Sequence, residues 1–282
     1  MHPPAQRAVR RLTAAVAVAC LVLLAAACIG GGSDTPSVKL VLRADLSGLP
    51  PSVDTVQVMK GVAEALKARA DSFGVLSADI VPDEDRMLTA RLNGIISPDE
   101  ARQLMGGRGV LDLREPKRDE AGNVVCTDGE GSEFAVAPGQ LKYEPVESDE
   151  RLFPRCPIDG KPVGEIVWSG ITATVPEGQE PAPAKIQQSG ANVDTTGEAV
   201  VIIALTTEGK VDLEEISKGL IGLPLAIFLD GEMLAAPTIS ERVTAGVLPI
   251  PGLGSRGAKL LAARIGPGPL PVPVEIVSVE QD

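Results

Sequence analysis

Apolar and polar residues nearly alternate through residues 37–46 (SVKLVLRADL), the two-residue period of a half-buried strand. From residue 54 the period lengthens. Val58, Val62 and Leu66 recur at four-residue spacing on the way to Phe73, the stripe of an amphipathic helix, and Gly74 stands where a left-handed cap would stop it. Residues 77–81 and 86–92 regain strand character on either side of the acidic turn Pro82-Asp83-Glu84-Asp85, which predicts a hairpin. Ser97, with Pro98 next and Glu100 at the third helical position, opens a short helix as a capping box, and Gly106-Gly107 closes it. Residues 109–113 then supply a fourth strand. The order β-α-β-β-α-β predicts a ferredoxin-like layer of two helices on one sheet.

The pattern loosens between residues 116 and 197. Acidic residues, proline and glycine dominate there (PKRDEAGN, TDGEGSE, PEGQEPAPAK), and only residues 165–175 read as a clear strand. A loop-rich acidic insertion is expected, flexible near residues 176–188. Regular periods resume with the buried-type strand AVVIIALT from Ala199 and a helix over residues 208–220. The apolar run 225–229 is short enough for another buried strand. Asp230-Gly231 follows, a pair that tolerates the positive φ of a tight hairpin turn. Leu234, Ala235 and Ala236 form the returning strand, and Pro237 ends its ladder because it has no N–H to give. Ser255 is placed to cap a helix over residues 256–265, and Val272, Val274, Ile276 and Val279 close the chain as a strand.

Several of these stretches share their wording with one family. LAIFLDGEMLAAPTI, with Asp230, Gly231, Ala236 and Pro237, resembles the Asp-Gly hairpin of the large extracytoplasmic domain of SecD, a subunit of the bacterial protein-export machinery. Residues 258–265 followed by GPGPLPVPVEIV resemble that domain's closing helix and its Gly-x-Leu-Pro-x-Pro strand, which places Gly268, Leu270 and Pro271 in the motif. Upstream, ALKARADSFGV is similar to a family helix ending in Arg-x-Asp-x-x-Gly-Val, and SPDEARQLMGGRGVLDLRE to the helix and strand after it. The likeness covers residues 38–115 and 164–282 in family order. It implies an α+β fold: a ferredoxin-like base domain (38–115), the acidic insertion (116–197), an inserted α+β head domain (198–270), and a final strand (271–282) returning to the base.

Composition and targeting signals restrict the function. Arg7, Arg10 and Arg11 precede an almost unbroken apolar run to Cys28, the charged and apolar regions of a secretory signal. The run ends LLAAAC, which resembles a bacterial lipoprotein signal with Cys28 as the lipidated residue; an uncleaved membrane helix is the alternative, since about 18 apolar residues can span a bilayer. Residues 1–28 are therefore expected to be a signal, residues 29–37 a flexible tether, and the remainder extracytoplasmic, held at a membrane. Loss of the three signal arginines takes the formal charge from −12 to −15. So acidic a surface repels phosphate backbones, and aromatics are only 2% of the chain, so no nucleic-acid partner is expected.

The only histidine is His2, inside the signal, so histidine triads and histidine metal sites are excluded for the remainder. No G-x-S-x-G, P-loop or H-E-x-x-H pattern is present, and the acidic turn at Asp83 lacks the spaced ligands of a calcium loop. No enzyme activity, cofactor or metal is expected. Cys20 leaves with the signal, so Cys126 and Cys156 remain as a pair that an oxidising compartment would join. The SecD resemblance implies binding of exported or unfolded polypeptide, as an accessory to the Sec translocase. It departs from the family in two ways: no stretch after Cys28 approaches a transmembrane helix, so the family's proton-path residues have no counterpart, and IGGGS lacks the aspartate of the Asp-Leu-x-Gly-Gly signature. The alternative is an envelope interaction module of the same fold that binds another protein or a small ligand.

Overall fold

Strand β1 (Ser37–Ala44) keeps the alternation its sequence requires: Val38, Leu40, Leu42 and Ala44 are buried, with less buried residues between them. Helix α1 (Thr55–Phe73) starts on Asp54, whose carboxylate accepts the N–H groups of Val56 and Gln57, and stops at Gly74 in the left-handed conformation. The hairpin β2 (Ser77–Pro82) and β3 (Met87–Asn93) follows, then α2 (Pro98–Met105), where Ser97 Oγ accepts the Glu100 N–H at 3.2 Å. The Glu100 carboxylate itself receives the guanidinium of Arg256.

The computed structural model describes residues 36–83, 86–94, 97–145, 151–170, 186–193 and 199–281. The expected signal, Cys28 and all of the tether before Pro36 lie outside the described residues, as does most of the stretch expected to be flexible near 176–188.

Beyond α2 come β4 (Leu111–Pro116), β5 (Val124–Thr127), β6 (Glu133–Val136), β7 (Lys142–Pro145), β8 (Leu152–Ile158), β9 (Lys161–Ile166) and β10 (Trp168–Gly170). The expectation of a loop-rich insertion is corrected here: β5 to β9 form a five-stranded antiparallel sheet, in the order β6-β5-β9-β8-β7. Its strands are short and most of them alternate only once or twice, so few apolar residues mark the period. The inward set, Val124, Cys126, Val136, Phe153, Cys156 and Ile166, is small but fully committed to the interior. The single strand expected over 165–175 is broken at Val167, which pairs with Val125 and Lys117 instead of extending β9; its residues 171–175 lie outside the described residues.

The chain continues through β11 (Ile186–Val193), β12 (Ala199–Leu205), α3 (Thr207–Gly219), β13 (Ala226–Leu229), β14 (Glu232–Ala235), β15 (Val247–Ile250), α4 (Gly254–Ile265) and β16 (Val274–Gln281). Ser255 does not cap α4, which begins two residues earlier than expected, at Gly254, behind Leu253 and without a side-chain cap.

The sheet containing β1 is antiparallel throughout, in the order β16-β1-β3-β2, so the last strand lies beside the first. Residues 109–113, expected as a strand of that sheet, belong elsewhere. β4 lies between β13 and β10, with Leu111 opposite Leu229 and Leu113 opposite Ile227. Two facts account for the change. The place beside β1 is filled by β16, registered from Val38 opposite Gln281 to Ala44 opposite Val274. Gly107 and Gly109, both at positive φ, turn the chain away from the first sheet before β4 begins.

Residues 36–282 form one compact unit with two large cores. One is built on β1, β3, α1 and α2; the other combines the five-stranded sheet with β12, α3 and the β13–β14 hairpin. Helix α4 is shared. Ala258, Leu261 and Ile265 enter the second core, whereas Leu260 and Ala263 enter the first.

Candidate functional site

The tip of the β13–β14 hairpin is a joint. Asp230 and Gly231 both have positive φ (52° and 87°), the requirement of a two-residue turn between twisted strands. The conformation presents Asp230 to the loop that precedes β4. Its N–H donates to the Val110 carbonyl at 2.9 Å, and its carboxylate accepts the N–H groups of Gly109 and Val110, each at 2.9 Å. The same carboxylate takes Nη2 of Arg264, in the last turn of α4, at 2.5 Å.

A second arginine grips this loop from the other side. Arg69 on α1 is fully buried, one turn beyond Leu66 on the apolar face. Its Nη1 donates to the carbonyls of Gly106 (3.3 Å) and Gly107 (3.1 Å), and its Nη2 to that of Arg108 (2.7 Å). Burial, and secondarily the nearby charge of Arg264, bring its pKa down to about 10, with Asp230 opposing the shift; the group stays protonated at neutral pH. Arg108 in turn donates to the carbonyls of Leu270 (3.0 Å) and Pro271 (3.3 Å) and accepts the Leu270 N–H at 2.7 Å. A side chain at Gly107 would collide with Arg264 and Asp230, and one at Gly109 would lie 2.5 Å from Arg69 Nη2.

The motif residues therefore divide. Asp230, Leu270 and Pro271 converge on residues 106–110. Gly268, at φ 88°, turns the chain after α4 toward them, its N–H on the Ile265 carbonyl at 3.0 Å. Ala236 and Pro237 do not take part. They line a cleft of about 430 Å³ between β14 and β15, with Leu234, Leu152, Pro249 and Pro251 as its apolar walls and Tyr143 and Arg151 at its rim. Tyr143 Oη donates to the Ala236 carbonyl at 3.3 Å and also meets the Thr238 hydroxyl. Arg151 Nη1 donates to the Leu234 carbonyl at 3.1 Å, with its guanidinium over the Phe153 ring. Burial raises the Tyr143 pKa, so the phenol is a neutral donor. Among the described residues, no carboxylate or thiol lines this cleft. Among the described residues, no group of three histidine, cysteine or acidic side chains could hold a metal.

Cys126 and Cys156 are joined as a disulfide that links β5 to β8, on either side of β9. Gly164 of β9 sits opposite Cys156, and a Cβ there would lie 3.0 Å from Cys156 Cβ and 2.8 Å from the Phe134 ring.

Sequence reasoning missed Arg69, Arg108, Arg264, Tyr143 and Arg151. A signal existed for Arg69, since the spacing Val62, Leu66, Arg69, Phe73 puts a guanidinium on the buried stripe. Nothing local marks the others, because each acts on a partner contributed by a distant segment: a backbone carbonyl for Arg108, Tyr143 and Arg151, and the Asp230 carboxylate for Arg264.

These features define a mixed α/β protein of several antiparallel sheets, with a motif hairpin whose tip joins two cores and whose base opens on an apolar cleft. Residues 181–272 match the family model described as SecDF, P1 head subdomain. The protein translocase subunit SecD of Endomicrobium trichonymphae is 28% identical over 249 residues, 84% of this chain and 50% of that one. A crystal structure of SecDF in a super-membrane-facing form superposes with a TM-score of 0.56 at 24% identity, over 88% of this chain and 30% of the other. A further structure, of SecDF described as a membrane component that enhances protein export, gives 0.52 at 22% identity, over 86% of this chain and 99% of the other. The chain resembles the periplasmic part of SecD and SecDF across most of its length and shares its fold. It spans half the length of the SecD relative, and no helix of the described residues is long and apolar enough to cross a membrane.

Proposed function

We propose that this chain binds unfolded or newly exported polypeptide in the cleft between β14 and β15, as a SecD-like extracytoplasmic accessory of the Sec translocase that catalyses no reaction. The observation that carries the reading is the cleft itself. The motif residues Ala236 and Pro237 form part of its wall, and among the described residues that wall is mostly leucine, alanine and proline with Arg151 as its one charged side chain, a surface suited to apolar side chains of many sequences. Leu152 lines the cleft and is 56% exposed, so its side chain is accessible to an incoming chain. In this reading β1, β2, β3 and β16 with α1 and α2 constitute a ferredoxin-like base, and the segments between α2 and β16 constitute the inserted head.

Leu152→Glu tests the reading without disturbing a core. Binding of a reduced, carboxymethylated model protein, followed by fluorescence anisotropy, should weaken at least tenfold, because a carboxylate would have to be desolvated in the occupied cleft. Unchanged binding contradicts the assignment of the cleft.

The same reading places the protein at a membrane through a lipid on Cys28, motivated by the arginines and the LLAAAC ending of the first 28 residues. Mass spectrometry of the native protein should find a diacylated cysteine as its first residue. An N-terminus that retains residues 7–24 contradicts it.

A further inference from the structure

β14 is an edge strand: in the order β10-β4-β13-β14 its outer side has no neighbour among the described residues. Edge strands leave backbone carbonyls and N–H groups unpaired, and such groups template the pairing of another chain unless something covers them. Here two carbonyls on that outer side, those of Leu234 and Ala236, are two residues apart, the repeat at which an added strand would present its N–H groups. Each meets a side-chain donor. Arg151 Nη1 takes the first at 3.1 Å and Tyr143 Oη the second at 3.3 Å. Both side chains come from the five-stranded sheet, Tyr143 from β7 and Arg151 from the residue before β8. They stand where the donors of a fifth strand would stand.

The opposite wall differs. It is the edge strand β15 with Pro249 in it and Pro251 just beyond, residues that carry no N–H. That wall offers apolar surface and few donors, so an extended chain in the cleft has one edge on which to register, and it is β14. Apolar side chains on alternate positions would then face Leu152 and the prolines.

We infer that the cleft takes its polypeptide as a strand added to β14, and that Tyr143 and Arg151 are placeholders whose hydrogen bonds to Ala236 and Leu234 are exchanged for backbone N–H groups of the incoming chain. The inference rests on the polypeptide-binding reading and adds how the chain is held. Recognition through the backbone is indifferent to side-chain identity, which a site serving many sequences requires. The placeholders keep the edge from pairing with a second copy of the protein when no client is present.

The test uses the full chain and a fluorescent decapeptide of alternating threonine and valine, in three forms: unmodified, N-methylated at its odd amides, and N-methylated at its even amides. In an added strand only one of the two sets of amides faces β14. One methylated form should therefore lose about tenfold or more in affinity while the other stays within about threefold of the parent. Tyr143→Phe removes a donor that the client must displace, and should tighten binding of the unmodified peptide by roughly three- to tenfold. Equal losses from both methylated forms, or none from either, overturn strand addition and leave the polypeptide-binding reading standing. Unchanged or weaker binding by Tyr143→Phe overturns the placeholder role. Absence of any binding, by this peptide and by the carboxymethylated protein alike, overturns both readings.

Discussion

Asp230→Ala should lower the unfolding free energy by about 2–4 kcal/mol, a large fraction of what a protein of this size possesses. The carboxylate makes three contacts: it accepts from two backbone N–H groups and from Arg264. The backbone N–H of residue 230, which donates to the Val110 carbonyl, is kept in the variant. Removing the carboxylate leaves the two N–H groups it accepts from without an acceptor and leaves Arg264 and the buried Arg69 as two cations around one loop. Breaking a fully buried pair from one side costs about 3–5 kcal/mol, and the 19% exposure of both partners here reduces that figure. Asp230→Asn separates the two contributions. It keeps an oxygen for one amide but lacks the charge, and should fall about midway. Urea unfolding of the three proteins measures both. A loss below about 0.5 kcal/mol for the alanine variant would show that the joint contributes little.

Deleting residues 272–282 should unfold the β1–β3 sheet, some 180 residues earlier in sequence. The deletion takes away the partner along the whole outer side of β1. It also removes Val272, which is buried in the first core, and Val274, Ile276 and Val279, which pack against it. At roughly 1–2 kcal/mol for each partly or fully buried aliphatic side chain, the loss approaches the stability of a whole small domain. Hydrogen exchange is the appropriate measurement. Protection at Leu40, Leu42, Leu88 and Ala90 should collapse in the truncated protein. Retention of native protection there would mean that β16 is an accessory strand and that the first sheet folds without it.

The elements that sequence patterns revealed are those whose cause is local. The Ser97 cap, Gly74 and the Asp230-Gly231 turn each depend on a residue's own backbone preference or on a partner a few positions away. Placement of β4 is different. Nothing in its sequence distinguishes a strand destined for β1 from one destined for β13, because that choice is made by a competitor, β16, at the far end of the chain. The five-stranded sheet stayed hidden for another reason: strands of four to seven residues, interrupted by prolines and charges, lack the run of apolar positions from which a period is read. Helix α4 carried a signal that was not used. Ala258, Leu260, Leu261, Ala263 and Ile265 point around more than one face, and a stripe that wide requires two cores to cover it.

The candidate site was legible to the same extent. The resemblance named Asp230, Ala236 and Pro237 as one motif, yet the hairpin uses its two ends for different purposes. Its tip secures the loop at residues 106–110, and its base borders the cleft. Recognising that division required the carbonyls of Gly106 to Arg108, Leu234 and Ala236, which no sequence motif records.

The central claim is that the cleft receives exported polypeptide, and photocrosslinking in cells tests it most directly. A benzophenone amino acid at position 152 would face the cleft, and one at Val163 on β9, exposed and outside the cleft lining, would serve as the control. With secreted chains pulse-labelled during export, the account predicts adducts to newly exported polypeptide from position 152 and few or none from position 163. Equal labelling from the two positions, or none from position 152, would contradict it.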